Sequence, residues 1–272
     1  MRYQLELDEA LHHRYWLIDA ASLPPHEALR RYYEGVESPC FRWLYGATPY
    51  RAAQEAGPLL LDITEADDFF RHYRAEWLYH VAALVIDTPL PIDTLQHHLA
   101  AAVRVRLPGE GQGLLRFHEP MLLHLLLGEG LLPATQRDAL VGPGNRWAWA
   151  LCQHSSGILY ETYRVAADDD PRPAPALSID RATLTQLTAI ERLSRLMPLL
   201  GAALERFDLL AAPHEISRLW LSLADYWRLQ RERGMPQKQA VATAQQMLAQ
   251  AEDWASLLER LEASASSVTT RT

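Results

Sequence analysis

The sequence predicts an α/β protein: a mixed-sheet N-terminal lobe with flanking helices, followed by an all-helical C-terminal lobe. Three observations carry this. Residues 15–19, 57–63 and 82–87 are short apolar runs, each ending on or next to an aspartate and giving way to a turn or helix signal. That is the pattern of strands buried on both faces with helices between them. Residues 166–177 combine like charges with three prolines, the composition of a linker. Beyond them, apolar residues recur at helical spacing and strand signals cease. The predicted boundaries are 1–165 for the α/β lobe, 166–177 for the linker, 178–262 for the helical lobe and 263–272 for a disordered tail rich in Ser and Thr.

Taken in order, the first strand ends at Asp19, and Pro24 or Pro25 opens a helix that reaches Tyr33 and stops at Gly35. The aromatic run 41–46 is core material, since burying side chains of this size contributes roughly 1.5–3 kcal/mol each. A second helix from Pro49 ends at Gly57 and Pro58, and residues 57–63 read as a central buried strand. Thr64, three residues before Asp67, has the form of a capping box for a third helix carrying Phe69, Phe70, Tyr73 and Trp77.

After the strand 82–87, Pro91 opens a helix with Leu95, Leu99 and Val103 four apart. The period then changes. Val103, Val105 and Leu107 alternate with Arg104 and Arg106, residues 108–111 make a strong turn, and 113–117 return as the second strand of a hairpin. Pro120 and Pro133 start helices ending near Gly128 and Gly142, and 147–152 with 158–164 form another strand pair. In the helical lobe, Ser178 or Asp180 caps a helix running to about Met197, and a short helix follows from Gly201. Residues 213–233 and 236–261 then form two long helices.

Composition narrows the function. The chain has 272 residues, is 49% hydrophobic, and carries a net charge of -8, so it buries a large core and lacks the basic surface that nucleic acid requires. Lys238 is the sole lysine, and no Gly-Lys-Ser/Thr phosphate loop occurs. Cys40 and Cys152 make neither a disulfide framework nor a zinc set. The longest apolar stretch, 121–127, contains His124 and is too short for a bilayer. The expectation is a soluble cytoplasmic protein with no cofactor, no nucleic-acid partner and no membrane partner.

The sharpest enzymatic arrangement is Asp19, Asp62 and Asp87. At the carboxyl ends of parallel strands they would line a crevice and hold magnesium for a hydrolase or phosphotransferase. Two carboxylates about 4 Å apart repel by roughly 1 kcal/mol in water and about 4 kcal/mol at an effective dielectric of 20. Without a cation they must be spread apart or individually capped, and aspartates after strands commonly bond nearby amides. The pairs His12-His13 and His97-His98 lack the spacing of a zincin, and Cys152 with His154, or Ser155 and Ser156 beside Gly157, lack a nucleophile elbow. Arg116, flanked by Leu115 and Phe117, points away from both toward an ion pair or a partner. Trp220, Tyr226, Trp227 and Trp254 are many aromatics for a small helical lobe. They are read as core, with partner binding as the sharper alternative.

The ordered segments 15–20, 43–46, 57–62, 99–107 and 115–120, the last reading Leu-Arg-Phe-His-Glu-Pro, resemble the adaptor chaperones that load type VI secretion effectors. Where that family commonly shows Tyr-Asp, this chain has His118-Glu119, keeping the acid. The resemblance implies a non-enzymatic bacterial adaptor that binds a cognate effector toxin and helps dock it on the VgrG spike protein. It supplies no catalytic residue. An immunity protein that neutralises a toxin would share the binding behaviour.

Overall fold

A computed structural model describes residues 12–80, 83–109, 111–154, 157–167, 176–194, 200 and 216–266. The chain divides into two compact units, Met1–Arg181 and Ala182–Thr272. No described helix is long and apolar enough to cross a membrane.

The first unit is built on a six-stranded sheet of β1 (His13–Asp19), β2 (Phe41–Trp43), β3 (Pro58–Asp62), β4 (Ala83–Thr88), β7 (Arg146–His154) and β8 (Gly157–Arg164), in the order β2-β3-β1-β4-β7-β8. A separate hairpin pairs β5 (Arg104–Arg106) with β6 (Gln112–Leu114). The expected strands are present, but every neighbouring pair in the sheet is antiparallel. The parallel expectation fails because α2 (Asp67–His80) carries the chain from β3 to β4 across β1. β3 and β4 run in the same direction, and β1 lies between them, antiparallel to both. The two middle strands are therefore β1 and β4, and β3, expected at the centre, lies one place further out.

Alternation then sorts the side chains into two buried faces. On one, Trp16, Ile18, Leu59, Leu61 and Val85 pack with Ala28 and Tyr32 of α1 (Glu27–Gly35) and with Phe69, Phe70 and Trp77 of α2. The Trp16 ring lies 5.1 Å from both the Phe70 and Trp77 rings. On the other face Tyr15, Leu17, Leu60, Leu84, Ile86, Trp147 and Trp149 are all buried, and Phe117 stacks on Trp147 at 5.6 Å. The Arg42–Asp93 ion pair ties α3 (Ile92–Ala102) to β2.

Local signals differ from expectation in instructive places. Residues 49–56 form a 3-10 segment, Arg51–Ala56, with a non-helical Ala53, where an α-helix was expected. Gly57 does more than stop it: a Cβ there would stand 2.4 Å from the Tyr45 ring, so the glycine admits the tyrosine. Thr64 does not cap α2. Its hydroxyl donates to Asp62 Oδ1 at 2.6 Å and accepts from the Arg14 amide, closing the end of the sheet. The helix from Pro120 is α4 only to Leu123 and continues as a π-turn, His124–Gly128; α5 follows at Ala134–Val141. Of the two cap candidates, Ser178 pairs with Arg106 beside β5, and α6 (Arg181–Ser194) begins directly after Asp180.

In the second unit, helix Ile216–Glu232 packs against helices Gln237–Gln250 and Trp254–Ser266. One helix was expected over 236–261. It breaks because Ala251 is extended and Asp253 Oδ1 accepts from the Ser256 amide at 2.8 Å, capping a new helix. That helix reaches Ser266, so Ala263 to Ser266, expected in a disordered tail, are helical, consistent with alternating alanines that favour a helix. Residues 168–175 of the expected linker 166–177, the helix from Gly201 and residues 267–272 lie outside the described residues.

Candidate functional site

The three strand-end aspartates do not converge. Because β1 is antiparallel to β3 and β4, Asp19 stands opposite Pro58, where β3 begins, whereas Asp62 stands opposite Tyr15 and Asp87 opposite Arg14 at the far end. Each is committed separately. Asp62 Oδ1 accepts from the Thr64 amide at 3.0 Å. Asp87, 1% exposed, accepts from Arg14 Nε at 2.7 Å and is also paired with Arg146. The magnesium crevice, the enzymatic alternative in the sequence, is thus replaced by two separately closed ends of one sheet, with Asp19 and Asp62 each bonding a nearby amide.

Asp19 is the hub of the other end. As β1 finishes, its Oδ1 accepts from the Ala21 amide at 3.2 Å and its Oδ2 from Ser22 Oγ at 3.3 Å, which fixes the carboxylate at the start of the 3-10 turn Ala20–Ser22. Arg116 arrives from 97 residues along the chain and donates Nη2 to Asp19 Oδ2 at 2.7 Å and to Glu119 Oε1 at 3.0 Å. The same nitrogen therefore bridges two carboxylates, one buried and one half-buried. His118 is 2% exposed, with Nε2 3.9 Å from Asp19 Oδ2 and without a hydrogen-bond partner. Burial lowers its pKa to about 4, against the opposing pull of Asp19 and with a smaller push from Arg116, so the imidazole is neutral at pH 7. Tyr45 lies near Arg116 and Asp19, and burial raises the pKa of its phenol.

A second polar group forms at the π-turn. His124 Nδ1 lies 2.6 Å from Glu161 Oε2 on β8, and its Nε2 lies 3.4 Å from Glu129. Gly128 makes room for this contact, since a Cβ there would meet Glu161 Oε1 at 2.3 Å. π-turns inside helices often mark functional positions; here the turn seats a histidine between two carboxylates.

The aromatic residues predicted for partner binding separate. Trp220 is 4% and Tyr226 1% exposed, and Tyr226 donates its hydroxyl to the Ala240 carbonyl at 3.2 Å. These two are core residues, which corrects the binding alternative for them: a face that packs the helical unit is not offered to a partner. Trp227 is half-buried, and the Trp254 side chain lies outside the described residues. So do the side chains of Cys152 and His154 and all of Ser155 and Ser156. Half-buried or exposed aromatics lie instead along the β2 edge, where Tyr33, 56% exposed, meets Phe41 edge-on and Phe41 meets Trp43. The outward carbonyls of Phe41 and Trp43 accept from Arg42 Nη1 at 2.8 Å and Gln96 Nε2 at 2.7 Å, protecting this sheet edge against strand addition.

The fold and the Asp19 cluster define a two-unit α/β protein whose motif residues meet at one end of an antiparallel sheet. Residues 14–139, which contain both halves of that cluster, match the family model described as a domain of unknown function, DUF4123. No curated protein and no solved structure matches the chain.

Proposed function

We propose that this chain is a cytoplasmic, non-enzymatic adaptor that binds a cognate type VI secretion effector and helps load it onto the VgrG spike protein. The observation that carries the reading is the DUF4123 match over residues 14–139. It spans the stretch whose ordered motifs resemble the effector adaptors. The geometry is compatible with it in a specific way: Asp19 at the end of β1 and the Arg116–Glu119 step, two of the resembling segments, form one ion-paired cluster. Residues far apart in sequence thus serve a common structural purpose. The magnesium-hydrolase alternative loses its geometric basis with the separation of Asp62 and Asp87 from Asp19.

The reading is tested in a strain carrying this gene beside a toxin gene and a spike gene. Deleting the gene is expected to abolish delivery of that toxin into target cells while other effectors of the same secretion system are still delivered. Complementation in trans restores it. Unchanged delivery contradicts the adaptor role. Deletion cells poisoned by their siblings would contradict it in favour of an immunity protein.

A further inference from the structure

The Asp19 cluster contains more than an ion pair needs. Arg116 with two carboxylates is a complete set, yet His118 is buried beside it with Nε2 unpartnered. Leaving a buried polar atom unsatisfied is costly, so an orphaned ring nitrogen calls for a ligand or another physical reason. Asp19, His118 and Glu119 each present one ligating atom, and the three atoms lie within 4.8 Å of one another.

We propose that Asp19, His118 and Glu119 bind a divalent cation of the zinc class in exchange for the Arg116 guanidinium. The donor set selects the metal. One imidazole nitrogen with two carboxylates suits zinc, whereas calcium takes six or more oxygens and magnesium near-ideal octahedral oxygen coordination. Zinc binds such ligands at about 2.0–2.2 Å, which places neighbouring tetrahedral ligand atoms roughly 3.3–3.6 Å apart. The 3.9 Å between His118 Nε2 and Asp19 Oδ2 therefore needs only a small inward shift. Arg116 is the gate: its side chain is 38% exposed, so the guanidinium has a route to solvent, whereas Asp19 at 6% does not. Two carboxylates and a guanidinium sum to one negative charge, and replacing the guanidinium with a divalent cation brings the cluster to neutrality. The proposal stands independently of the adaptor reading.

The test is a calorimetric titration of the full chain with zinc chloride, with cobalt(II) substitution as a spectroscopic check of the ligand field. The wild type is expected to show one saturable site that Glu119→Gln weakens by about tenfold or more, the scale on which altered metal surroundings act. Arg116→Gln removes the competing cation and is expected to tighten the same site by a similar factor. His118→Ala abolishes it. Because His118 is buried and its variant can fail to fold, the two partly exposed positions decide the matter, each checked by circular dichroism. Opposite shifts in Arg116→Gln and Glu119→Gln support the site. Zinc affinities indistinguishable from wild type in both folded variants, or no saturable binding in any, overturn it and leave only adventitious binding by other histidines.

Discussion

Replacing Asp87 with alanine is expected to destabilise the first unit by about 3–5 kcal/mol, because it strips a buried carboxylate from two arginines at once. Arg14 and Asp87 have side chains only 4% and 2% exposed, Arg14 Nη2 donates to Asp87 Oδ2 at 3.2 Å, and Arg146 pairs with the same carboxylate from β7. The cluster therefore stitches β1, β4 and β7 together where Arg14 and Arg146 stand opposite Asp87 in register. Breaking it leaves the Arg14 guanidinium buried without its carboxylate. Against a total stability of about 5–15 kcal/mol, such a loss is large. Urea unfolding of Asp87→Ala should show a lower midpoint with an unchanged slope. A change below about 1 kcal/mol would place the pair among those that contribute little, as exposed pairs do.

Trp16→Ala is the second large effect, expected at about 3–5 kcal/mol from lost transfer energy and an unfilled cavity. Trp16 is fully buried on β1, one of the two middle strands, and its ring contacts Phe69, Phe70 and Trp77. Among the described residues, no other side chain joins the sheet to α2 through as many rings. Its indole N–H has no hydrogen-bond partner, as is also true of Trp77, Trp147 and Trp149. Trp16→Phe loses volume but also removes that orphaned donor, so it should cost markedly less than the alanine variant. Thermal denaturation of both variants checks the order. Equal losses would contradict the cavity account of this site.

β1, β3 and β4 were legible because each is a buried apolar run bounded by turn chemistry, and the helical second unit because its apolar stripes are long; β2, a short half-buried aromatic stretch, read only as core. Strand direction was not legible. Residues 57–63, the helix after Thr64 that carries Phe69 to Trp77, and residues 82–87 read as strand, helix and strand, as the structure has them, but nothing local says that β1 inserts between the two strands. That single topological fact moves Asp19 to the opposite end of the sheet from Asp62 and Asp87. Arg116 was legible as a polar residue aimed away from its apolar neighbours. Its partner was not, since Asp19 lies 97 residues earlier and the pairing depends on the tertiary fold. The break at Ala251 had a local signal in Asp253 and Ser256, an aspartate three residues before a serine, which the longer helical period masked.

The most direct test of the account is a pull-down of the tagged chain co-expressed with the neighbouring toxin and spike proteins, repeated with each partner omitted. An adaptor is expected to retain the toxin when the spike is absent, and the spike to join when both are present. A folded chain that retains neither protein would contradict the adaptor role.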